Sequence, residues 1–557
     1  MSTMDYTNTY TDTRGHTTEP LTFSQAIIKG IAQGGGLFVP LVLPQLSLDE
    51  IVALGALDYA AQAAFIYQRF GVDLPAKQVE ALMADAYADN FDAAEVAPIT
   101  QITPDTWVLE LWHGPTSAFK DMALQCLPPF FSAAIDTLYT EDRRGRFYLV
   151  LEKDKIEPSP SVPEPSPSVL NRNYLILVAT SGDTGKAALE GFKNRAHTRI
   201  IVFYPQDGVS DIQYRQMATQ QGDNVAVIGV QGNFDDCQTA VKAAFNDPAF
   251  NQMLASEHNI SLSSANSINW GRLLPQIVYY VSAYAQLVHR GALAHGAELD
   301  ICVPTGNFGN ILAAFYAGQI GVPIGRLFCA SNENRVLTDF INTGVYDITN
   351  RPFRLTPSPS MDILVSSNLE RQLFELNGRD PQRIRQWMGD LAATRRFQVD
   401  RDTFAALRAS FSADWVSSDE CLMTIKTVFD AHGYLLDPHT AVAWKVAERL
   451  RGENPVLVVA TAHWAKFGAD VYRALNGLPA GSPLPADAAA LGDVALNHLI
   501  ASTALVSGGR YCFDTSTLAI PAPLAELNDL PIRFTQTCEG TAQAVQQAVL
   551  STLPSIS

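Results

Sequence analysis

Lys120 lies in the segment HGPTSAFKD (113–121), which follows the strand-forming run TWVLELW (106–112) and a Gly-Pro turn. A lysine at the start of a helix after such a strand can project into the crevice above a parallel sheet. Apolar walls and a nearby phosphate can tune its amine there for imine chemistry. Taken alone, the pattern is more typical of a surface lysine, so Lys120 is a candidate nucleophile that needs partners from other segments.

The segment TGNFGN (305–310) is a candidate phosphate-binding loop between the apolar run LDICVP and the helical run ILAAFYAGQIG. Its glycines permit close backbone approach, and successive N–H groups at a helix start favour a phosphate. It is neither a Walker loop nor a GxGxxG loop, so no dinucleotide is implied. In isolation a tight turn without a ligand explains it equally well. The candidate phosphate ligands are Gly306, Asn307, Phe308, Gly309 and Asn310.

A third loop, TSGDTG (180–185), follows the apolar run YLILVA (174–179). Hydroxyls and backbone donors at a strand-to-helix turn suit a carboxylate or a cofactor oxygen. Asp-Thr-Gly also occurs in aspartic proteases, but here a helical pattern follows it and no second copy exists. We therefore expect an anion-binding loop, with a helix from Lys186. Its candidate residues are Thr180, Ser181, Gly182, Asp183 and Thr184.

The segment NSINWGR (266–272) places two amides, a hydroxyl and a guanidinium close together. This set suits a tetrahedral anion, with Asn266, Ser267 and Arg272 as candidate ligands. A helix cap with an exposed arginine is the alternative interpretation.

Thr461 begins the segment TAHWAKF (461–467), directly after the apolar run PVLVVA (455–460). A hydroxyl at this strand end could meet a ring nitrogen in the crevice, although a threonine satisfied by the backbone would look the same.

Elements that could position these loops recur from about residue 106, where short apolar runs alternate with helical stretches. This alternation predicts an α/β fold with parallel sheets and ligands beyond the carboxyl ends of the strands. We expect three regions: a mainly helical part (1–105), the catalytic α/β region (106–477) and a C-terminal α/β tail (478–557). Within the catalytic region, residues 152–173 are rich in Pro and Ser and predict a surface insertion.

Composition excludes several classes of protein. The chain has 557 residues and a formal net charge of −18, which disfavours nucleic-acid binding. Its seven cysteines form no CxxC pair, so we expect neither disulfides nor a metal site. Without a secretory signal or a long apolar run, we expect no membrane association and a cytoplasmic location.

The ordered set of segments resembles threonine synthases, which are fold-type II pyridoxal-phosphate enzymes. The resemblance extends over most of the chain. It also includes YTDTRG (10–15), GGLFVP (35–40), SPSMDI (358–363), SNLER (367–371) and DPHTAVA (437–443). It implies two parallel-sheet α/β domains with an N-terminal helical region, and pyridoxal 5′-phosphate as the cofactor.

The resemblance also implies roles. Lys120 matches the lysine that forms the Schiff base, and 306–310 match the loop that binds the cofactor phosphate. Thr461 matches the partner of the pyridine nitrogen. Residues 180–184 match the loop that meets the substrate carboxylate and the O3′ side of the cofactor. Asn266, Ser267 and Arg272 match the group that holds the substrate phosphate.

The reaction implied is conversion of O-phospho-L-homoserine and water to L-threonine and phosphate, catalysed by a carbon–oxygen lyase. Two alternatives stay open: a related phospho-lyase or dehydratase that releases 2-oxobutyrate, and an inactive binding protein. Trp464 departs from the family, which more often has Pro at that position. Pro128-Pro129 should interrupt the helix after Lys120. We expect a monomer.

Overall fold

The computed structural model describes residues 8–141, 147–149, 173–180, 182–206, 208–232, 234–508 and 518–553. The predicted insertion at 152–173 lies outside the described residues except for Asn173, and so does Ser181.

The strands within the described residues, in chain order, are β1 (Tyr10–Asp12), β2 (Phe38–Pro40), β3 (Ile99–Thr103), β4 (Thr106–Glu110), β5 (Tyr139–Glu141), β6 (Phe147–Leu149), β7 (Asn173–Ala179), β8 (Thr198–Pro205), β9 (Val225–Gln231), β10 (Ile260–Ser263), β11 (Leu299–Pro304), β12 (Ile324–Ser331), β13 (Val345–Asp347), β14 (Arg396–Gln398), β15 (Phe411–Trp415), β16 (Val456–Ala460) and β17 (Thr537–Glu539). The α-helices are α1 (Phe23–Lys29), α2 (Leu48–Ala53), α3 (Tyr59–Arg69), α4 (Ala76–Tyr87), α5 (Asp121–Leu124), α6 (Leu127–Leu138), α7 (Asp183–Phe192), α8 (Asp211–Ala218), α9 (Phe234–Phe245), α10 (Pro248–His258), α11 (Trp270–His289), α12 (Gly309–Gln319), α13 (Val336–Thr343), α14 (Leu369–Leu376), α15 (Pro381–Thr394), α16 (Arg401–Ser410), α17 (Ser418–His432), α18 (Pro438–Leu450), α19 (Gly468–Leu475), α20 (Ala486–Ala489), α21 (Asp493–Gly508), α22 (Ala522–Ala525) and α23 (Ala542–Thr552).

Two parallel sheets organise the fold, as predicted. The larger has the order β15-β12-β11-β16-β4-β3, and only β3 runs antiparallel to its neighbour. Every residue of β11, β16 and β4 is buried. Near-continuous apolar runs of this kind are typical of strands with both faces covered, which explains why these strands were recognisable in the sequence.

The smaller sheet has the order β10-β7-β8-β9-β17 and is parallel throughout. Its last strand comes from the C-terminal region, and α23 packs against α9 beside it. The tail therefore completes a sheet that begins with β7. The domain boundaries at 105 and 477 stay predictions.

The N-terminal region combines α1 to α4 with the short antiparallel pair β1-β2. Its aromatic side chains join the main core, where Tyr10 and Phe70 pack against Trp270 of α11. Among the described residues, no helix has the length and apolar character that crossing a membrane requires.

The proline pair interrupts the helix after Lys120, as predicted. Helix α5 ends at Leu124, and α6 begins at Leu127 with Pro128 and Pro129 in its first turn. A proline is tolerated there because the first N–H groups of a helix have no carbonyl partner within the helix.

Candidate active site

Lys120 is fixed at the carboxyl end of β4 by backbone contacts to the end of β16. Phe119 N–H donates to the Thr461 carbonyl at 2.8 Å, and His463 N–H donates to the Ser117 carbonyl at 3.1 Å. Ser117 adopts a left-handed conformation, with a φ of 56°. This turn brings Thr461 beside the lysine loop, although 341 positions of sequence separate Lys120 from it.

The same turn is tightened by the buried carboxylate of Asp121. Its two oxygens accept from the Thr116 N–H at 2.8 Å and the Thr116 hydroxyl at 2.7 Å. A Cβ atom at Gly114 would lie 2.5 Å from Asp121 Cβ, so any larger residue would displace the carboxylate. Close packing against Asp121 therefore explains why this turn has a glycine at position 114.

The Lys120 amine lies 3.7 Å from Asp183 Oδ2, and its side chain is 13% exposed. Burial disfavours the charged amine, and although Asp183 opposes this effect, the positive charges of Lys466 and Arg272 add to it. The pKa of Lys120 is lowered to about 8. About a tenth of the amine is therefore uncharged at pH 7, far more than for an ordinary lysine, and the uncharged form is the one that acts as a nucleophile or base.

Asp183 has three further partners that sequence reasoning missed. Its Oδ1 accepts from Lys466 Nζ at 2.8 Å and from Gln213 Nε2 at 3.0 Å, and its Oδ2 accepts from the Ser360 hydroxyl at 3.2 Å. Lys466 and Ser360 lie in segments that resemble the family, but no spacing pattern connects them to Asp183. Burial opposes the charge of Asp183, but the positive charges of Lys466 and Lys120, with hydrogen bonds from Lys466 and Gln213, hold its pKa far below the usual range.

The 180–185 loop forms the start of α7. The Thr180 hydroxyl oxygen accepts from the N–H groups of Gly182 and Gly185, both at 2.9 Å. We predicted a helix from Lys186, but α7 begins three residues earlier, at Asp183. The Thr180 hydroxyl organises this first turn by accepting from its N–H groups. Gly182 has a φ of 135°, and a Cβ there would lie 2.3 Å from Gln213 Cδ. Thr184 is half-buried.

Residues 306–310 form the turn that starts α12. Phe308 is left-handed, with a φ of 61°, and no side chain caps the helix. Asn310 Oδ1 accepts from the hydroxyls of Tyr279 (2.6 Å) and Tyr280 (2.5 Å). Within the part of the chain that is described, the buried Asn310 Nδ2 has no hydrogen-bond partner. The loop thus combines this amide donor with the first N–H groups of α12, which have no carbonyl partner within the helix and lie at its positive end.

Arg272 is buried in α11 and uses only part of its donor capacity. Its Nη1 donates to the Ala265 carbonyl at 2.8 Å, while no acceptor among the described residues meets its Nε. Burial lowers the pKa of Arg272 to about 10. Asn266 and Ser267 are half-buried in the preceding turn.

Residues 366–368 contact both the segment that carries Ser267 and the loop at 306–310. The Ser367 hydroxyl lies 3.4 Å from the Ser267 hydroxyl, and the Ser366 hydroxyl donates to the Gly306 carbonyl at 2.6 Å. At Gly306 a Cβ atom would lie 3.2 Å from the Ser360 carbonyl, so the loop also borders the residue that bonds Asp183. The described candidate residues therefore converge between the carboxyl ends of the two sheets.

Trp464 occupies a short 3₁₀ helix, Trp464–Phe467, and is buried. The His463 ring caps this helix by accepting from the Ala465 N–H at 3.1 Å.

His113 provides a pH-dependent clamp beside the lysine loop. Burial opposes its charge, but hydrogen bonds to Asp92 (2.6 Å) and Glu110 (2.9 Å) outweigh that effect and raise the pKa of His113 to about 9. A group whose pKa is higher in the folded state stabilises the fold below its unfolded value of 6.5, and this stability is lost as the pH rises through about 9. We expect His113→Gln to remove this part of the pH dependence of the unfolding free energy, measured by denaturant titration. An unchanged slope in the variant would contradict the assignment.

Comparisons with known proteins place these features in a family. The family model "Threonine synthase N terminus" matches residues 9–87, and "Threonine synthase, C-terminal" matches 440–497. Threonine synthase-like 1 of Macaca fascicularis is 43% identical over 463 residues, covering 82% of this chain and 58% of that protein. The chain thus spans less than two thirds of the length of this relative.

Two further relatives are matched along most of their length. Threonine synthase of Pseudomonas aeruginosa is 35% identical over 487 residues, covering 86% of this chain and 93% of that protein. A crystal structure of PLP-bound threonine synthase from Brucella melitensis superposes with a TM-score of 0.78 at 34% identity, covering 98% of this chain and 100% of that one.

Two parallel sheets with a buried lysine between their carboxyl ends define the fold-type II α/β architecture. At 35% identity across most of a threonine synthase, the chain belongs to the threonine synthase family.

Proposed function

We propose that the chain binds pyridoxal 5′-phosphate and converts O-phospho-L-homoserine and water to L-threonine and phosphate. One observation carries the proposal: the buried Lys120 amine lies beside Asp183, which accepts a hydrogen bond from Ser360, and the Ser360 carbonyl borders the helix start at Gly306. The membership of the chain in the threonine synthase family supports it.

The residues present fit the cofactor. Lys120 would form the covalent link, and the N–H groups of 306–310 with Asn310 Nδ2 would bind its phosphate. The phosphate would then supply the acceptor that Asn310 Nδ2 lacks among the described residues. The Thr461 hydroxyl would meet the ring nitrogen, and Asp183 would lie near the linking lysine. When bound, the cofactor withdraws electrons from the substrate carbons next to the amino group.

The substrate would use the remaining groups. Arg272 would direct its free Nε to the phosphate, together with Asn266 and Ser267, and a charge-assisted hydrogen bond in a buried site is strong. The carboxylate would meet residues 180–182 and Thr184. The Thr180 hydroxyl oxygen already accepts from two N–H groups, so its own proton would be available for donation to the substrate carboxylate.

The protein's own part in the reaction is to hold the phosphate as it leaves Cγ and to move protons at the neighbouring carbons. With a pKa of about 8, the Lys120 amine can accept a proton near neutral pH and return it. Water then adds at Cβ, so that one phosphohomoserine and one water give one threonine and one phosphate.

A second candidate function is a phospho-lyase of the same fold that releases 2-oxobutyrate. Relatives from Macaca fascicularis and Homo sapiens carry the name "Threonine synthase-like 1", and this chain spans 58% of their length. The product that this chain forms therefore has to be identified directly. Loss of ammonia in place of a stable threonine product would give 2-oxobutyrate, ammonia and phosphate from the same substrate and water.

The test is product analysis after incubating the cofactor-loaded protein with O-phospho-L-homoserine. We expect threonine and phosphate in equal amounts. Equal amounts of 2-oxobutyrate and phosphate would favour the second function, and no phosphate release would overturn both. A monomeric state and a cytoplasmic location stay proposals alongside this one.

A further inference from the structure

Lys466 is a second lysine in the candidate site, and the proposed function gives it no role. Its side chain is fully buried. Its amine lies 2.8 Å from Asp183 Oδ1 and donates to the Thr116 carbonyl at 2.9 Å. Thr116 belongs to the turn that carries Lys120, so Lys466 contacts both the shared carboxylate and the lysine loop.

One carboxylate therefore serves two lysines. Lys466 forms the shorter ion pair with Asp183, whereas the Lys120 amine lies 3.7 Å from the other oxygen. An isolated charge in a buried site is costly, and two cations compete here for one anion. Lys466 has the better geometry and an additional acceptor in the Thr116 carbonyl, so Lys120 is left with the weaker interaction with the carboxylate.

Asp183 is held in the orientation that this arrangement needs. Gln213 bonds the oxygen that Lys466 uses, and the Ser360 hydroxyl bonds the oxygen that faces Lys120. Ser360 is itself fixed, since its N–H donates to His439 Nε2 at 3.1 Å and the other ring nitrogen bonds Asp437 at 2.8 Å. The segments SPSMDI and DPHTAVA thereby support the carboxylate.

The other titratable groups around the pair do not replace Asp183. Burial raises the pKa of Asp121 to about 6, and both of its oxygens are occupied by Thr116. Burial lowers the pKa of His463 to about 3, so its ring is neutral, and Arg272 adds a further positive charge. Asp183 is thus the counter-ion for which the two lysines compete.

We propose that Lys466 is a positioning residue that occupies the Asp183 carboxylate and so favours the uncharged form of the Lys120 amine when the cofactor binds. This inference rests on the proposed function, because it assumes that Lys120 reacts with the cofactor. The positive charge of Lys466 lowers the pKa of Lys120, in the same direction as burial.

The test compares the apo-forms of the wild type, Lys466→Met and Lys466→Arg. The rate at which each takes up pyridoxal 5′-phosphate, followed by the visible absorbance of the lysine-bound cofactor, is measured as a function of pH. For Lys466→Met we expect the midpoint of the pH profile to rise by about one unit, which is about a tenfold slower uptake near neutral pH. At high pH the rate should equal that of the wild type, and Lys466→Arg should keep the wild-type midpoint.

Asp183→Asn is a control that should shift the midpoint of the pH profile in the opposite direction. It removes the negative charge that favours a protonated Lys120, so its midpoint should fall below that of the wild type. A Lys466→Met protein whose uptake is equally slow at every pH would show a structural role only and overturn the inference, as would an unchanged profile. Failure of the wild type to bind the cofactor would instead overturn the proposed function, so the two failures are distinguishable. Circular dichroism of each apo-protein establishes that the variants are folded.

Discussion

Replacing Lys120 with alanine is expected to abolish the visible absorbance of the cofactor-loaded protein and to lower the turnover of O-phospho-L-homoserine by at least about 10³-fold, since the nucleophile and the base are lost together. Lys466 does not substitute for it, because its amine is already paired with Asp183 and the Thr116 carbonyl. Absorbance spectra and phosphate release measure the two effects.

Lys186→Ala is a matched control, since the Lys186 side chain is equally buried but is paired with Glu190 rather than with Asp183. It should keep both the absorbance and the activity. Borohydride reduction followed by peptide mass analysis locates the attachment point. If the cofactor is found on a lysine other than Lys120, the central assignment is wrong.

Arg272→Met is expected to reduce kcat/KM for the phosphorylated substrate by about 30- to 5,000-fold, which corresponds to about 2–5 kcal/mol for truncating one partner of a buried charge pair. Methionine retains much of the side-chain volume and removes the donor whose Nε has no acceptor in the described protein. Steady-state kinetics measure the effect, and cofactor absorbance should stay close to that of the wild type.

Arg371→Met separates a binding role from a structural one. Arg371 is also fully buried, and burial lowers its pKa to about 10, like that of Arg272. Its three side-chain nitrogens, however, all donate to protein acceptors: the carbonyls of Phe38 and Ile268 and the Asn368 amide oxygen. We therefore expect a large fall in melting temperature for Arg371→Met and a small one for Arg272→Met. The reverse pattern would refute the assignment of Arg272 to the substrate.

The sequence predicted several inner strands well because both faces of these strands are covered. The run LDICVP coincides with β11, and YLILVA falls within β7, since burial on both sides leaves an apolar signal. The loops after these strands could be located for the same reason. Hydrophobic periodicity did not reveal that α7 begins three residues before Lys186, because that start depends on the hydrogen bond from the Gly185 N–H to the Thr180 hydroxyl.

The partners of Asp183 could not be predicted in the same way. Lys466 and Ser360 lie 283 and 177 positions along the chain from it, and only the packing of two sheets brings them together. His113, in the most recognisable segment, holds the loop through Asp92 and Glu110, a role that its residue type alone does not indicate. The sequence identified the loops, whereas the charge balance among their side chains required coordinates.

The position of β17 affects how the protein is made. Because synthesis runs from the amino end, β9 has an unpaired edge on the ribosome until residues 537–539 emerge. Unpaired strand edges are templates for aggregation, and pairing across so long a loop is intrinsically slow. The sheet that supports Asp183 is therefore incomplete until residues 537–539 are translated, and nascent chains are exposed to misassembly until then.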